Sequence, residues 1–547
     1  MTAATAALSD TLSDARRENL AGTGRLARFA LRRDRVRIPV WALSLGGLIG
    51  YFGAVIPVVY PDQEALQTRA AIMMEPSGAM MTGPGYGLEH YTMGTMVANE
   101  LLGMLAIASA LMSMFLVVRH TRAEEETGRA ELVRASPVGR FAHLTAGLVD
   151  VLVANAAVTL LLFAAITAND LAPADSLAVA LGVGLVGLVF GAVAAVTAQL
   201  TEHARSAVGI AGMVLGLAYV LRAVGDAQAR GGSALSWLSP IGWAQQTRAF
   251  HDLRWWPLLL CVALAALLVP VAYAVAARRD LGAGVLSARR GRPDAARSLR
   301  TQAGLAFRLE RGSLLGWAAG VAVFGVLTGS MGEGIVESFE SQPRLAEVFG
   351  ATGSGDILRL TMAAMLSFFA MGVAVYAVIA VNRLHREEAE GRTGAVLGTA
   401  VSRWSWLGGA LAVVALNATL LLLVSGFTLG AGLGASGGDG SLAWDFTVGS
   451  LVYLPVVLAF AGLATLAYGA RLGTWPVWVL VVASILVGLY GPALNLPEGV
   501  VDAAPFGLMP AAPAEAFAVG PVAGMSAAAA LLLAAGAWAF RRRDLTA

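Results

Sequence analysis

RHTRAEEETGRAELVRASPVGRF, residues 119–141, is a densely charged stretch that lies between two long apolar runs. A second copy, NRLHREEAEGRTGAVLGTAVSRW, occupies residues 382–404. An offset of 263 positions pairs Gly128 with Gly391 and Arg140 with Arg403. A charged segment that recurs in the same apolar setting predicts a chain built from two related halves.

The composition indicates a membrane protein. Of 547 residues, 57% are hydrophobic and 14% are charged, whereas soluble domains have about 25% charged residues. A helix that spans a bilayer needs about 20 mostly apolar residues. We therefore predict an all-α polytopic membrane protein with twelve transmembrane helices, near residues 38–59, 94–118, 144–168, 176–200, 206–226, 255–277, 313–331, 359–381, 405–432, 446–468, 474–492 and 520–540.

The distribution of arginine predicts the orientation. The sequence contains no lysine, so all 38 basic residues are arginine. They concentrate before the first span, after the second span, in the central linker and at the end of the chain. Short loops rich in basic residues stay in the cytoplasm. Both termini and both acidic segments are therefore expected on the cytoplasmic side.

Further motif pairs extend the duplication along the chain. We interpret them as two six-helix halves in parallel orientation, an arrangement that places a shared path at the interface of the halves. The expected domains are a cytoplasmic amphipathic segment (1–37), the first half (38–281), a cytoplasmic linker with an amphipathic helix (282–312) and the second half (313–547). A plain positive-inside anchor is the alternative for the two basic segments. The motif pairs are Arg32…Trp41 with Arg308…Trp317, Ser239–Gly242 with Ala504–Gly507, and Arg278–Leu281 with Arg542–Leu545.

Two outer loops carry Pro and Gly beside aromatic residues, just before the last span of each half. Pro and Gly interrupt helices, and Trp favours the membrane interface. We predict a short re-entrant or interfacial helix pair at each place, with an ordinary aromatic-belted loop as the alternative. The residues are Pro240, Gly242 and Trp243 in the first half, and Pro505 and Gly507 in the second.

The sequence contains no recognisable catalytic or metal-binding pattern. A phosphate-binding P-loop requires a lysine, so this chain is not itself a P-loop ATPase. Its six histidines are scattered without metal-ligand spacing, and Cys261 is its single cysteine. We therefore predict no enzyme activity, no cofactor and no metal site in this chain, and nothing in its charge indicates nucleic-acid binding.

Glu100, Asp150 and Arg222 are ionisable residues that fall well inside predicted spans. Such residues are candidates for a substrate path by default. Each could equally be a paired residue or one whose side chain reaches the headgroups. Glu100 and Arg222 are expected on the same outer side, so a pair between them is possible.

The acidic segments are the most informative feature. Each is longer than a bare connection needs, and we expect a short cytoplasmic helix that is solvated on all sides. A two-fold acidic surface suits a two-fold partner with basic clefts, although a solvated linker is the alternative. The candidate docking residues are Glu124, Glu125, Glu126, Gly128 and Arg129, and Glu387, Glu388, Glu390, Gly391 and Arg392.

With these motifs, the chain resembles the membrane subunit of ATP-binding-cassette exporters, in the actinobacterial branch for multidrug efflux and for polyketide antibiotics such as tetronasin. The resemblance implies a permease of the bacterial cell membrane that exports lipophilic or amphiphilic compounds. It further implies a homodimer of a separate nucleotide-binding subunit, which holds ATP and Mg²⁺. In that family the loop after the second span of each half is a coupling helix, which maps onto Glu124–Arg129 and Glu387–Arg392.

The second acidic copy departs from the first at three positions, where Ala389, Gly394 and Ala400 replace Glu126, Glu131 and Pro137. A proton-coupled secondary exporter of the major facilitator type is the alternative function. It also has six plus six spans and a Gly-Arg loop. Its loop is shorter, however, and carries an Asp-centred pattern that this chain lacks.

Overall fold

A computed structural model describes residues 19–74, 76–285, 294–330, 332, 354–435, 440–490, 497, 499 and 504–544. Within these ranges all regular secondary structure is helical. The chain divides into two compact units, Met1–Arg290 and Gly291–Ala547.

The first unit contains the long apolar helices and several short ones. A π-helical turn, Val97–Leu101, joins α5 to α6, and 3₁₀ turns occur at Leu88–His90 and Ser236–Leu238. The helices are α1 (Thr23–Arg33), α2 (Arg37–Val59), α3 (Gln63–Met74), α4 (Pro76–Thr82), α5 (Met93–Met96), α6 (Leu102–His120), α7 (Arg122–Glu126), α8 (Arg129–Arg134), α9 (Ala142–Thr167), α10 (Pro173–Leu200), α11 (Ala204–Gln228), α12 (Pro240–Gln245) and α13 (Trp256–Ala276).

The second unit follows a similar order. It has 3₁₀ turns at Arg297–Arg300 and Leu451–Tyr453. Its helices are α14 (Gln302–Gly329), α15 (Ser354–Ala389), α16 (Arg392–Leu397), α17 (Arg403–Ala435), α18 (Leu442–Ser450), α19 (Leu454–Gly469), α20 (Trp475–Tyr490) and α21 (Val519–Arg542).

Eleven helical segments of the described chain are long and apolar enough to cross a membrane. They coincide with eleven of the twelve predicted spans. The remaining one, predicted at 474–492, corresponds to α20, which has 16 residues and is shorter than the roughly 20 that a crossing needs. Residues 491–496 lie outside the described residues, so the twelfth crossing stays a prediction.

The two basic segments before the first span of each unit differ. In the first unit, α1 ends at Arg33 and α2 begins at Arg37, so a break separates the basic helix from the span. In the second unit, α14 runs from Gln302 to Gly329 without interruption. The basic segment before residue 313 therefore continues directly into the apolar helix, and the expected amphipathic helix on the inner membrane surface stays a prediction.

Helix α10 lies at the centre of the first unit. It packs against α6, α9, α11 and α13 and is the span with the largest buried share. Its glycines permit this close packing. A Cβ atom on Gly187 would lie 2.0 Å from Asn155 Oδ1 and 2.3 Å from Ser109 Oγ.

A polar cluster fills the space beside Gly187. Ser109 donates a hydrogen bond of 2.8 Å to Asn155 Oδ1, and Asn155 Nδ2 donates one of 2.8 Å to Ser113 Oγ. All three side chains are buried. Hydrogen bonds between helices supplement packing where the surrounding solvent is lipid, so this cluster helps to fix α6, α9 and α10 together.

The second unit has its own core. There α19 packs against α15 and α21, and α17 packs against α14. A Cβ atom on Gly469 would lie 2.2 Å from the carbonyl oxygen of Gly536, so α19 and α21 meet almost backbone to backbone. Asn417 Nδ2 donates a hydrogen bond of 2.8 Å to the hydroxyl of Tyr376.

Candidate functional site

The first acidic segment is a helix-turn-helix. Thr121, with φ −121° and ψ −90°, ends α6. Gly128 has φ 71°, a left-handed conformation that costs roughly 1–2 kcal/mol for residues with a Cβ atom. This glycine turns the chain from α7 into α8.

The second acidic segment differs before its turn. Helix α15 continues without a break through Glu387 and Glu388 to Ala389, and Gly391 with φ 76° leads into α16. The predicted short separate helix therefore occurs only in the first unit. In the second unit the glutamates extend a helix of 36 residues.

Glu125 binds an arginine that follows the last helix of its unit. Arg279 donates two hydrogen bonds to its carboxylate, Nη2 to Oε1 at 2.6 Å and Nη1 to Oε2 at 2.8 Å. Arg122 adds a third, to Oε2 at 2.9 Å. The side chains of Glu125 and Arg279 are only 11% and 7% exposed. The expectation that the acidic helix is solvated on all sides is therefore wrong, because one face packs into its own unit.

The second unit contains the same pair. Arg543 Nη1 donates to Glu388 Oε1 at 2.8 Å, and its Nη2 contacts Oε2. Both side chains are largely buried. We call the pairs Glu125–Arg279 and Glu388–Arg543 the carboxylate clamps.

A second arginine in each unit binds main-chain carbonyls at the end of the last helix. Arg140 donates to the carbonyl of Ala277 at 2.7 Å. Arg403, its partner in the repeat, donates to the carbonyl of Arg541 at 3.0 Å. A cation at a helix C-terminus satisfies carbonyls that lack helical partners and complements the helix dipole. Each acidic segment is thus attached to the last helix of its unit at two places.

The other two glutamates of the first segment connect it to further helices. Glu124 forms an ion pair with Arg33 at the end of α1. Glu126 Oε2 accepts a hydrogen bond of 3.0 Å from the N–H of Ala204, the first residue of α11. This carboxylate also lies 3.3 Å from His203 Nδ1. The segment therefore contacts α1, α11 and the end of the last helix.

In the second segment, Glu387 and Glu390 bind an arginine of the same segment. Arg392 contacts both Glu387, at 2.7 Å, and Glu390. The hydrogen bond that Arg392 donates to Glu387 raises the pKa of Arg392 above its usual range. Ala389 occupies the position that corresponds to Glu126 and has no carboxylate for a similar contact.

Of the three clustered glutamates only Glu126 is exposed, and the rest of the outward surface of the first segment is formed by other residues. Thr127, Arg129, Glu131 and Leu132 are exposed, and Leu132 is 78% exposed. Leu132 and Glu131 are absent from the residues predicted for docking. A leucine inside a charged segment was the sequence signal that could have identified them.

Glu100 is bound by a different arginine from the one expected. It lies 2.8 Å from Arg69 Nη2, and the hydroxyl of Tyr91 donates to it at 2.9 Å. Burial and then the charge of Glu100 raise the pKa of Tyr91. Burial alone would lower the pKa of Arg69, but the hydrogen bond and charge of Glu100 raise it. This group holds α3 against the start of the second span.

The pair between Glu100 and Arg222 that the sequence left possible does not form. Arg222 is buried and lies 3.5 Å from Asp226, four residues later in α11. It also donates a hydrogen bond of 3.0 Å to the carbonyl of Met80. Asp226 was not noted in the sequence, yet its position one turn from Arg222 could have identified it.

Asp150 belongs to a buried group of three. Its carboxylate lies 3.6 Å from His120 Nε2, and His120 in turn contacts the carboxylate of Asp34. One ligand atom of each residue lies within 4.8 Å of the others. The sequence, which predicted no metal site, could not reveal this group because its members are far apart along the chain.

The two predicted outer caps also differ. In the first unit, a 3₁₀ turn is followed by α12, which begins at Pro240, and Trp243 Nε1 donates to the carbonyl of Trp237 at 2.6 Å. In the second unit, Pro505 and Gly507 lie in turns, so the expected short helix is absent from residues 504–514. Phe506 stacks there on Phe460, with ring centroids 5.8 Å apart.

The first cap borders a cavity of about 450 Å³ in the outer loops. Trp237 lines one side, and the guanidinium of Arg248 lies 4.5 Å from the ring centroid of Tyr86. Burial raises the pKa of Tyr86, while Arg248 opposes the shift. The cavity is within the range of small-molecule sites, roughly 300–1,000 Å³.

These features define a polytopic helical membrane protein in which each acidic segment is bound to residues at the end of the last helix of its unit. The family model "Multidrug efflux system permease Rv1217c, C-terminal domain" matches residues 25–276 and 299–541. The chain is 37% identical over 529 residues to the "Multidrug efflux system permease protein Rv1217c" of Mycobacterium tuberculosis (strain ATCC 25618 / H37Rv). The aligned region covers 96% of this chain and 95% of that protein.

The chain therefore belongs to the Rv1217c family of multidrug efflux system permeases. Its predicted membrane location and permease class are confirmed at this level.

Proposed function

We propose that this chain is the membrane subunit of an ATP-driven pump that exports lipophilic or amphiphilic drugs. A separate ATPase, present as two copies, docks on the acidic segments at 122–134 and 387–397. The family supports efflux of drugs, since its relative in Mycobacterium tuberculosis is named a permease of a multidrug efflux system.

The observation that carries this proposal is the pair of carboxylate clamps. In each unit a buried, bidentate carboxylate–arginine pair joins the acidic segment to an arginine just after the last apolar helix. Bidentate charge-assisted hydrogen bonds fix geometry as well as add energy. A push on the segment is thereby transmitted to that helix, as a coupling element requires.

The first segment transmits motion to more of its unit than the second. Glu124 reaches α1 through Arg33, and Glu126 reaches the start of α11. The second segment keeps the clamp but binds Glu387 and Glu390 to its own Arg392. We infer that both segments engage the ATPase and that the first moves more helices.

The absence of lysine bears on which subunit of the proposed pump binds ATP. ATP hydrolysis by a P-loop requires a lysine that reaches the phosphates, and the sequence has none. ATP and Mg²⁺ are therefore held by the partner, and this chain contributes the membrane path.

Transport in inverted membrane vesicles tests the energy source. The chain is co-expressed with a candidate nucleotide-binding subunit from the same organism, and accumulation of a fluorescent amphiphilic dye is measured. We expect uptake that requires ATP and persists with a protonophore. Uptake that continues without ATP and collapses with the protonophore would contradict the proposal and favour a proton-coupled secondary exporter.

A further inference from the structure

Asp34, His120 and Asp150 come from three separate elements of the first unit. Asp34 is the residue that ends α1, His120 is the last residue of α6, and Asp150 lies in the first third of α9. All three are buried, with exposures of 0%, 7% and 0%. The group lies directly before Thr121, where the acidic segment begins.

The donor atoms of the group converge. His120 Nε2 lies 3.6 Å from Asp150 Oδ2 and contacts Asp34 Oδ2. In a tetrahedral zinc site with bonds near 2.0–2.2 Å, ligand atoms are roughly 3.3–3.6 Å apart. The spacing of His120 and Asp150 already matches this geometry, whereas His120 and Asp34 are in direct hydrogen-bond contact and would separate when the ion enters.

Arginines orient Asp34 from its other side. The Nη1 atoms of Arg37 and Arg119 lie 3.0 Å and 3.5 Å from Asp34 Oδ1. The other carboxylate oxygen, Oδ2, is therefore directed at His120. Hydrogen bonds to a ligating carboxylate are typical of the outer shell of metal sites. The two positive charges also weaken cation binding, so we expect a metal that a chelator can remove.

Asp150 is the residue that requires a ligand. Neither of its carboxylate oxygens has a hydrogen-bond partner among the described residues, and both are shielded from solvent. A buried charge that lacks partners is strongly unfavourable. His120 Nε2 lies 3.6 Å from this carboxylate, so a cation between them would satisfy it.

The second unit has a different set of residues at the corresponding positions. The offsets of the repeat pair Asp34 with Glu310, His120 with Arg383 and Asp150 with Val413. Arg383 lies 2.6 Å from Glu310, so a permanent cation bridges the two helices there. In the first unit an imidazole and an additional carboxylate stand in place of this fixed charge.

We propose that Asp34, His120 and Asp150 bind one divalent transition-metal ion of the zinc class. One imidazole and two carboxylates form a mixed nitrogen and oxygen donor set that zinc accepts. The ion ties α1 to α6 and α9, next to the start of the acidic segment. This proposal does not depend on the identity of the ATPase or of the exported compound.

Zinc binding by the full-length protein tests the site. The protein is purified in detergent with an affinity tag that lacks histidine, stripped with a chelator, exposed to Zn²⁺ and washed, and its zinc is measured by mass spectrometry. We expect about one zinc ion per chain. Asp150→Asn, which keeps the side-chain shape, should lower the zinc content at least about tenfold.

Glu310→Gln is the matched control, because it changes the corresponding carboxylate of the second unit and should leave the zinc content unchanged. Equal zinc in the wild type and Asp150→Asn would overturn the proposal. So would a wild type without zinc, in which case Asp150 holds a proton instead. If Asp150→Asn does not fold, cobalt in the wild type decides: visible absorption bands of tetrahedral cobalt support the site, and their absence overturns it.

Discussion

Gly187 shows how a single small residue determines the packing of the first unit. Its Cα faces the side chains of Asn155 and Ser109, which are themselves joined by a hydrogen bond of 2.8 Å. A residue with a Cβ atom would push the amide away and break this bond. The polar cluster and the glycine therefore depend on each other.

Gly187→Ala should destabilise the protein by about 1–3 kcal/mol, the usual cost of overpacking a core. The measurement is thermal aggregation of the detergent-purified protein, which should occur at a lower temperature than in the wild type. Gly209→Ala is the control, since a Cβ atom there meets no atom within 4 Å. Equal loss in both variants would contradict this, because it would show that packing on Asn155 does not decide the outcome.

At the same scale, Glu100, Asp150 and Arg222 could be identified from the sequence, but the partners of Glu100 and Asp150 could not. An ionisable residue in an apolar run is visible in the sequence itself. Its partner is selected by which loop folds back, as Arg69 of α3 does for Glu100. The charge was therefore predictable, and the contact that neutralises it was not.

At the scale of elements, the acidic segments combine an exposed face with a buried one. Leu132 and Arg129 face outward, whereas Glu125 and Arg279 are buried against each other. The exposed face suits a partner, and the buried face holds the segment to its unit. We therefore propose that α8 contributes to docking and that α7 transmits force through Glu125.

Arg279→Gln and Leu132→Asp should separate these two roles. Arg279→Gln leaves Glu125 buried without its main partner, a change that costs roughly 3–5 kcal/mol for buried pairs. We expect it to keep co-purification of the ATPase and to reduce ATP-dependent dye uptake. Leu132→Asp should instead abolish co-purification, because a charge enters an apolar contact.

Arg278→Gln is the matched control for the clamp, since Arg278 is the exposed neighbour of Arg279. It should leave both co-purification and uptake unchanged. Normal uptake in Arg279→Gln would show that the clamp does not transmit motion, and normal co-purification in Leu132→Asp would show that docking lies elsewhere.

At the scale of the whole molecule, the orientation of the halves can be tested with the single cysteine. Cys261 is buried, so a Cys261→Ser background is suited to single-cysteine labelling. Ser136 and Thr399 are exposed at related positions of the two acidic segments, and Arg230 is exposed near the first outer cap. A parallel duplication predicts that both segments face the cytoplasm.

With an impermeant maleimide, Arg230→Cys should be labelled in intact cells. Ser136→Cys and Thr399→Cys should be labelled only after permeabilisation, as the arginine distribution predicts. Labelling of Thr399→Cys from outside would contradict the parallel arrangement, because it requires an odd number of crossings between the two acidic segments.

The sequence by itself determined the class of the protein, the positions of eleven long helices and the two acidic segments. These features depend on local composition: apolar runs of sufficient length must enter the bilayer, and a glycine between charged residues marks each turn. The clamps could have been suspected from the repeated Arg-Arg-Asp-Leu motif, but no local pattern indicates that its arginine binds a glutamate more than 150 residues earlier in the chain.

Only the tertiary structure decided which charged residues are exposed to solvent and which are buried. Glu125 and Glu131 look alike in the sequence, yet one is enclosed by arginines and the other is exposed. The same holds for Asp34, His120 and Asp150, which come together because α1, α6 and α9 pack at one point. Electrostatic environment depends on distances across the fold, and helix packing alone sets those distances.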